Sequence, residues 1–181
     1  MCTSREAAIY WDVENCGLKI NCIRPKSQRA LIKRIESVAY ALIQTLSEKG
    51  LGCTNNFCNA YACRYESRRL VKTIPPEVID FAAKAFFQKG FILHCTEGIA
   101  DYRLIKDVRR ALVHSYPLPL PEVVVIMSDD AIFCDLVYTL RTRGHEVGVI
   151  TNNPSTLPYL GRLGHWQSSL TDLILAYPKP P

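Results

Sequence analysis

Residues Ala8-Ile9-Tyr10-Trp11-Asp12-Val13-Glu14-Asn15-Cys16-Gly17 pass from an apolar, β-rich stretch into acidic residues and a turn. A stretch with no charge before Asp12 suits a central strand covered on both faces. A second stretch has the same form: Val123-Val124-Val125-Ile126-Met127 leads into Ser128-Asp129-Asp130. Outward from these two, further strands are expected over 57–63, 91–94 and 147–150. Helical periodicity marks 28–48, 76–88, 101–114 and 131–142, and Gly50, Gly90 and Gly144 close three of those helices. Such alternation predicts an α/β fold, a three-layer sandwich with a mainly parallel five-stranded sheet, because parallel neighbours need right-handed crossovers that place helices on both faces. In the doubly wound order 3-2-1-4-5 the strands that end at Asp12 and Met127 are neighbours.

A chain of 181 residues suits one domain with its own core. We expect that domain over 1–152. After it come a turn-rich segment and a C-terminal appendix, 153–181, with one short helix inside 166–177 that carries Leu170, Leu173, Ile174 and Tyr177 on one side. No apolar run approaches the roughly 18 residues of a membrane span, and the first residues lack the basic and apolar pattern of a secretion signal. The eight cysteines then read as reduced thiols of a cytoplasmic or nuclear protein, not a secreted one, and their spacing does not suit a zinc site. With 22 Lys and Arg against 17 Asp and Glu, the net charge of +5 favours polyanionic partners.

In an open α/β sheet the ligand crevice lies outside the carboxyl ends of the strands, and three acidic groups fall there: Asp12, Asp101, and the pair Asp129 and Asp130. Taken singly, Asp101 and Asp130 precede helices and suit N-caps. Asp12 ends a buried strand, where an unpaired carboxylate is costly. Jointly, carboxylates that converge on one crevice repel each other unless a divalent cation neutralises them, and all-oxygen ligands select Mg²⁺ or Mn²⁺ over Zn²⁺. Asp107 lies six residues beyond Asp101, a helical rise of about 9 Å, so it is expected to support from behind or to pair with Arg103 or Arg110. The histidines are scattered, and neither a nucleophile elbow nor a phosphate-binding glycine loop follows the first strand.

These motifs resemble the NYN domains of the PIN-like nuclease superfamily, in particular the branch of meiosis-regulator-type proteins. Trp11-Asp12-Val13-Glu14-Asn15-Cys16 is similar to that branch's opening motif, 100–107 to its Asp-x-x-Leu-x-x-Asp element, and 125–133 to its apolar strand followed by Ser-Gly-Asp-x-Asp-Phe. The resemblance implies a metal-dependent ribonuclease with Asp12, Asp101 and Asp130 as catalytic, metal-binding acids. Asn15 is implied as support, and Ser128, Asp129 and Asp107 are assigned to the same supporting role. The third motif departs twice: Asp129 stands where the family has Gly, and Ile132 where it has a second Asp. Asp129 is a candidate to substitute for the lost acid.

The expected function is endonuclease-type hydrolysis of single-stranded RNA with Mg²⁺ or Mn²⁺. Two basic clusters are expected to track the RNA backbone: Lys19, Arg24, Lys26 and Arg29, then Arg64, Arg68, Arg69 and Lys72. Tyr61, Tyr65 and Tyr102 are candidates for base stacking, with packing as their commoner role. The alternative, motivated by Ile132, is a catalytically weakened or silent module that binds RNA or a protein. A phosphohydrolase of small esters is a weaker rival, because Glu14 replaces the second Asp it needs. A homodimer, or association with other RNA-binding domains or proteins, stays open.

Overall fold

The computed structural model describes residues 5–18, 28–54, 57–66, 72–73, 76–115, 118–152 and 158–180. At its centre is β1 (Arg5–Asp12), flanked in parallel by β3 (Cys58–Cys63) and β7 (Val123–Met127). Beyond β3 lies β6 (Ile92–Thr96), and beyond β7 lie β8 (Glu146–Thr151) and β9 (Trp166–Ser169). The sheet order is β6-β3-β1-β7-β8-β9, every pairing parallel. A two-residue strand, β2 (Leu51–Gly52), pairs in parallel with the start of β1. The strands β4 (Tyr65–Glu66) and β5 (Lys72–Thr73) form a small antiparallel ribbon.

The helices divide between the two faces as the alternating side chains of β1 dictate. Ile9, Trp11 and Val13 point into a core with α1 (Gln28–Glu48), α2 (Pro76–Phe87) and α6 (Leu170–Ala176), which contribute Ile35, Leu42, Phe86 and Leu170. Ala8 and Tyr10 point the other way, toward α3 (Ala100–His114) and α4 (Cys134–Thr142), where Leu104, Val108, Leu136 and Leu140 are buried. All five residues of β7 are buried, as an apolar run covered on both faces requires. A short helix, α5 (Pro158–Leu163), precedes β9.

The expected five strands appear in the expected order, and the sheet carries more than those five. The correction concerns the C-terminal segment. Its first residues, Trp166–Ser169, are a strand and not the start of a helix, and this strand extends the sheet instead of lying on it as an appendix. The apolar stripe misled here because it belongs only to α6, where Leu170 and Leu173 are buried. What seats β9 is Gly148, the register partner of Trp166. The indole lies across the bare glycine, donates from Nε1 to Glu146 Oε1 at 3.2 Å, and carries Lys49 Nζ 4.7 Å above its ring centroid. A second correction concerns the thiols. Cys53 and Cys58, five positions apart beside β2 and β3, form a disulfide, whereas Cys16, Cys95 and Cys134 are thiols.

A Cβ at residue 148 would lie 2.1 Å from Trp166 Cζ2. Gly148→Ala is therefore expected to unseat the indole and lower stability by about 1–3 kcal/mol, the usual range for overpacking. Urea unfolding followed by circular dichroism measures it, and an unchanged midpoint would refute this account of β9.

Candidate functional site

Because the main sheet is parallel, its strands end on one edge, and the acids named from the sequence are carried to that edge by different elements. Asp12 is the last residue of β1 and is 1% exposed. The chain then turns sharply: Cys16 N–H donates to Asp12 O at 2.9 Å, and Trp11 Nε1 donates to Cys16 O at 2.6 Å. The turn closes at Gly17, whose φ of +100° and 2.8 Å approach of a would-be Cβ to Leu170 Cδ2 leave room only for glycine. This turn aims Asn15 back at the strand end, where its Nδ2 donates to Asp12 Oδ2 at 2.9 Å. Ser128, fully buried after β7, donates from Oγ to the same oxygen at 2.6 Å. One oxygen of Asp12 is thus held by two donors. The other, Oδ1, is buried and has no hydrogen-bond partner.

Asp101, in the first turn of α3 and 8% exposed, stands close enough to Asp12 for the two carboxyl groups to interact. Burial, then the charges of Asp12 and Asp130, push its carboxyl up to about 7, and Glu14 adds to the effect. A position in the first turn favours an ionised carboxylate by only about 0.3–1 kcal/mol, so desolvation and like charge prevail. Asp12 is raised too, by burial, against the opposing hydrogen bonds from Ser128 and Asn15. Glu14 was not singled out from the sequence as a site residue. Its Oε1 is buried without a partner, and burial raises its carboxyl. The signal was its place two residues after Asp12 in the opening motif.

The remaining acids divide. Asp130 accepts from Ile132 N–H through Oδ1 at 3.0 Å, capping the 3-10 turn Ala131–Phe133, while its charge reaches Asp101. Asp129 is engaged by the loop after β8. Its two oxygens accept from the backbone N–H and the Nδ2 of Asn152 at 2.7 and 2.8 Å. Asn152 was also missed; its Nδ2 additionally donates to Asn15 O at 2.9 Å, so it ties the loops after β1, β7 and β8 together. Asp107 lies apart from the Asp12–Asp101 contact, accepting from Arg103 Nε at 2.8 Å and Tyr61 Oη at 3.4 Å. Of the expected RNA contacts, Arg29 and Arg64 are exposed, and Arg64 lies 3.6 Å from Glu97. Lys72 is described in its backbone alone, and Lys19, Arg24, Lys26, Arg68 and Arg69 lie outside the described residues. On the outer face of α3, Tyr102, a stacking candidate from the sequence, lines an open groove of about 370 Å³ together with Lys106, Arg109 and His114, which the sequence reading did not single out.

Among the described residues, no group of three or more acids, histidines or cysteines is placed to hold a metal ion. The donor set nevertheless fits a hard cation. Asp12 Oδ1 is an orphaned buried oxygen, and two mutually repelling carboxyl groups sit in contact. Mg²⁺ characteristically takes one or two carboxylates and completes its shell with water and phosphate.

A mainly parallel sheet flanked by helices, with carboxylates at its strand ends, is consistent with the PIN-like nuclease superfamily. The chain belongs to the NYN domain family, whose model matches residues 6–162. Among solved structures it is similar to the crystal structure of a Vibrio parahaemolyticus protein of unknown function. That likeness has 16% identity, a TM-score of 0.59, and coverage of 96% of this chain and 97% of the other, and it concerns the fold alone. No curated protein matches the chain. No helix among the described residues is long and apolar enough to cross a membrane.

The raised Asp101 carboxyl has a thermodynamic consequence. In the unfolded chain it ionises near 3.8, in the folded protein near 7. The native state therefore loses stability as pH rises between those values, and the loss levels off above the upper one. Asp101→Asn is expected to gain in Tm over the wild type progressively from about pH 4 to pH 7, with a constant margin above, in metal-free buffer. A margin independent of pH, measured by thermal melts, would contradict the assignment.

Proposed function

We propose that this domain is a metal-dependent ribonuclease that hydrolyses phosphodiester bonds within single-stranded RNA. Asp12 and Asp101 act as the principal acids, with Asp130 and Glu14 beside them. The observation that carries the reading is Asp12 Oδ1, a buried oxygen without a hydrogen-bond partner, on a carboxyl group that interacts with a second one that resists ionisation. Membership of a family within a nuclease superfamily supports it. The opening motif from Trp11 to Cys16 favours the meiosis-regulator-type branch.

The chain's own residues prepare the site. Ser128 and Asn15 fix Asp12 Oδ2, so Oδ1 is presented in one direction. Asp130 N–H donates to Ser128 Oγ at 3.0 Å, which locks that hydroxyl's remaining role and leaves its proton for Asp12. Asp12 and Asp101 would hold Mg²⁺ or Mn²⁺, with Asp130 and Glu14 adding negative charge. When bound, the ion supplies positive charge against the scissile phosphate and acidifies the attacking water. Lys106 and Arg109 on the outer face of α3 hold the RNA backbone.

One observation favours a second reading, RNA binding without cleavage. Ile132, at the position of the family's further Asp, is 38% exposed and contributes no charge. The two readings separate in one assay. Labelled single-stranded RNA with Mn²⁺ is expected to be cleaved by the wild type, with EDTA abolishing the products. Asp12→Asn and Asp101→Asn each lower the rate by about 100-fold or more, the equivalent of a few kcal/mol of charge stabilisation. Retained RNA binding with no metal-dependent product would establish the second reading. The ion itself is expected to raise Tm more at pH 8 than at pH 6, because below about 7 a proton on Asp101 competes with it. Equal shifts at both pH values would place the ion elsewhere.

A further inference from the structure

Below the strand ends, between α3 and the sheet, lies a pocket of about 220 Å³ lined by Tyr10, Asn59, Tyr61, His94, Arg103 and Asp107, among others. Three of these residues form a row of rings across adjacent parallel strands. Tyr61 on β3 is the register partner of His94 on β6, and Tyr10 stands on β1 beside them. Tyr61 and His94 have centroids 4.7 Å apart at 18°, and Tyr10 and Tyr61 have centroids 6.5 Å apart at 24°. Both tyrosines are buried, whereas His94 is half-buried on the strand that ends the sheet, so the row terminates on its outer side.

The polar groups around this end are fixed. His94 Nε2 and Asn59 Oδ1 are 2.9 Å apart, which sets the plane of the ring. Burial lowers the imidazole's proton affinity and keeps the ring neutral near pH 7. Asp107 engages Arg103 through Nε, one of the five N–H donors of the guanidinium. The pocket is smaller than the 300–1,000 Å³ or so that encloses a drug-sized ligand, and its size suits a single flat ring system.

We propose that this pocket is a nucleobase subsite, in which one base of the RNA strand that crosses the Asp12–Asp101 crevice stacks on the outer face of His94 and turns its polar edge to Arg103 and Asn59. The proposal rests on the reading of the crevice as an RNA site. Its position suits a nucleotide adjoining the scissile phosphate. Tyr61 is the register partner of Asp12, and Asp107 follows Asp101 by six helical residues, about 9 Å. Every base has a π-face, so a neutral ring at the end of an aromatic row accepts any of them.

The test uses the full chain in EDTA, so cleavage plays no part. Titration with AMP, GMP, CMP and UMP, followed by proton NMR, is expected to move the His94 ring resonances upfield and to saturate. Their assignment comes from their loss in His94→Gln. Ribose 5-phosphate, which has the phosphate and sugar without a base, is expected to leave them in place. His94→Ala is expected to weaken binding of a labelled single-stranded 12-mer about tenfold by fluorescence anisotropy, and His94→Phe to retain the wild-type affinity. A shift with ribose 5-phosphate equal to that with nucleotides would make the pocket a phosphate site and overturn the proposal. So would no saturable shift with any of the four nucleotides. Should His94→Ala fail to fold, the wild-type titration still decides. Failure of metal-dependent cleavage is a separate result, seen only with Mn²⁺ present, and leaves the base titration to stand or fall alone.

Discussion

Two carboxyl groups held in contact at the end of a buried strand constrain the rest of this molecule. Asp12 is almost wholly buried, and Asp101 meets it from another element. Neither position is favourable for a charge by itself. The arrangement persists because the surroundings fix it: a serine after β7, an asparagine from the turn after β1, and a glycine that lets that turn close against Leu170. Each comes from a part of the chain placed by the parallel sheet, so the site exists only once the order β3-β1-β7 is formed. Strain of this kind, opposed to folding and maintained by the scaffold, is characteristic of sites that act on a ligand.

The core of the sheet was legible in the sequence because buried parallel strands announce themselves. The run from Val123 to Met127 is a strand with the same limits in the structure, and α1 likewise spans 28–48. What the sequence concealed depended on a partner distant in the chain. Trp166 joins a strand because Gly148, eighteen positions earlier, has no side chain to obstruct it, and neither residue signals the other locally. The site divides in the same way. Asp12 and Asp101 stood at strand and helix ends where topology points, whereas Glu14 needed the buried, unpartnered state of its Oε1 to be noticed. Asn152 lies outside any motif and becomes visible only through its bonds to Asp129 and Asn15.

The altered third motif shows how a change of charge can be absorbed without rebuilding a site. An aspartate in place of the family's glycine adds a carboxylate next to an already acidic crevice. Its oxygens are committed to Asn152, on the side of β8, and Asn152 in turn holds the turn that carries Asn15. Asp129 has thereby become part of the frame that steadies the donor to Asp12. Ile132 has the opposite effect, removing a charge from the exposed side of the same loop. The acids of the crevice are then the buried Asp12 and Asp101 and the partly buried Glu14, with Asp130 capping the turn at the margin.

Helix α3 joins this acidic interior to a surface of opposite sign. Its first turn delivers Asp101, its inner stripe of Leu104, Val108 and Ala111 packs on the sheet, and its outer face carries Lys106 and Arg109 in the groove with Tyr102. A polyanion drawn to those cations would meet the Asp12–Asp101 pair where the helix begins, at the strand ends. Attraction along the helix and repulsion at its tip are thus produced by a single rigid element. The ion that relieves the repulsion at the tip would also complete the charge pattern a phosphate backbone requires. On the proposed reading, binding of a nucleic acid and occupancy of the acidic pair would be coupled by geometry, without any moving part.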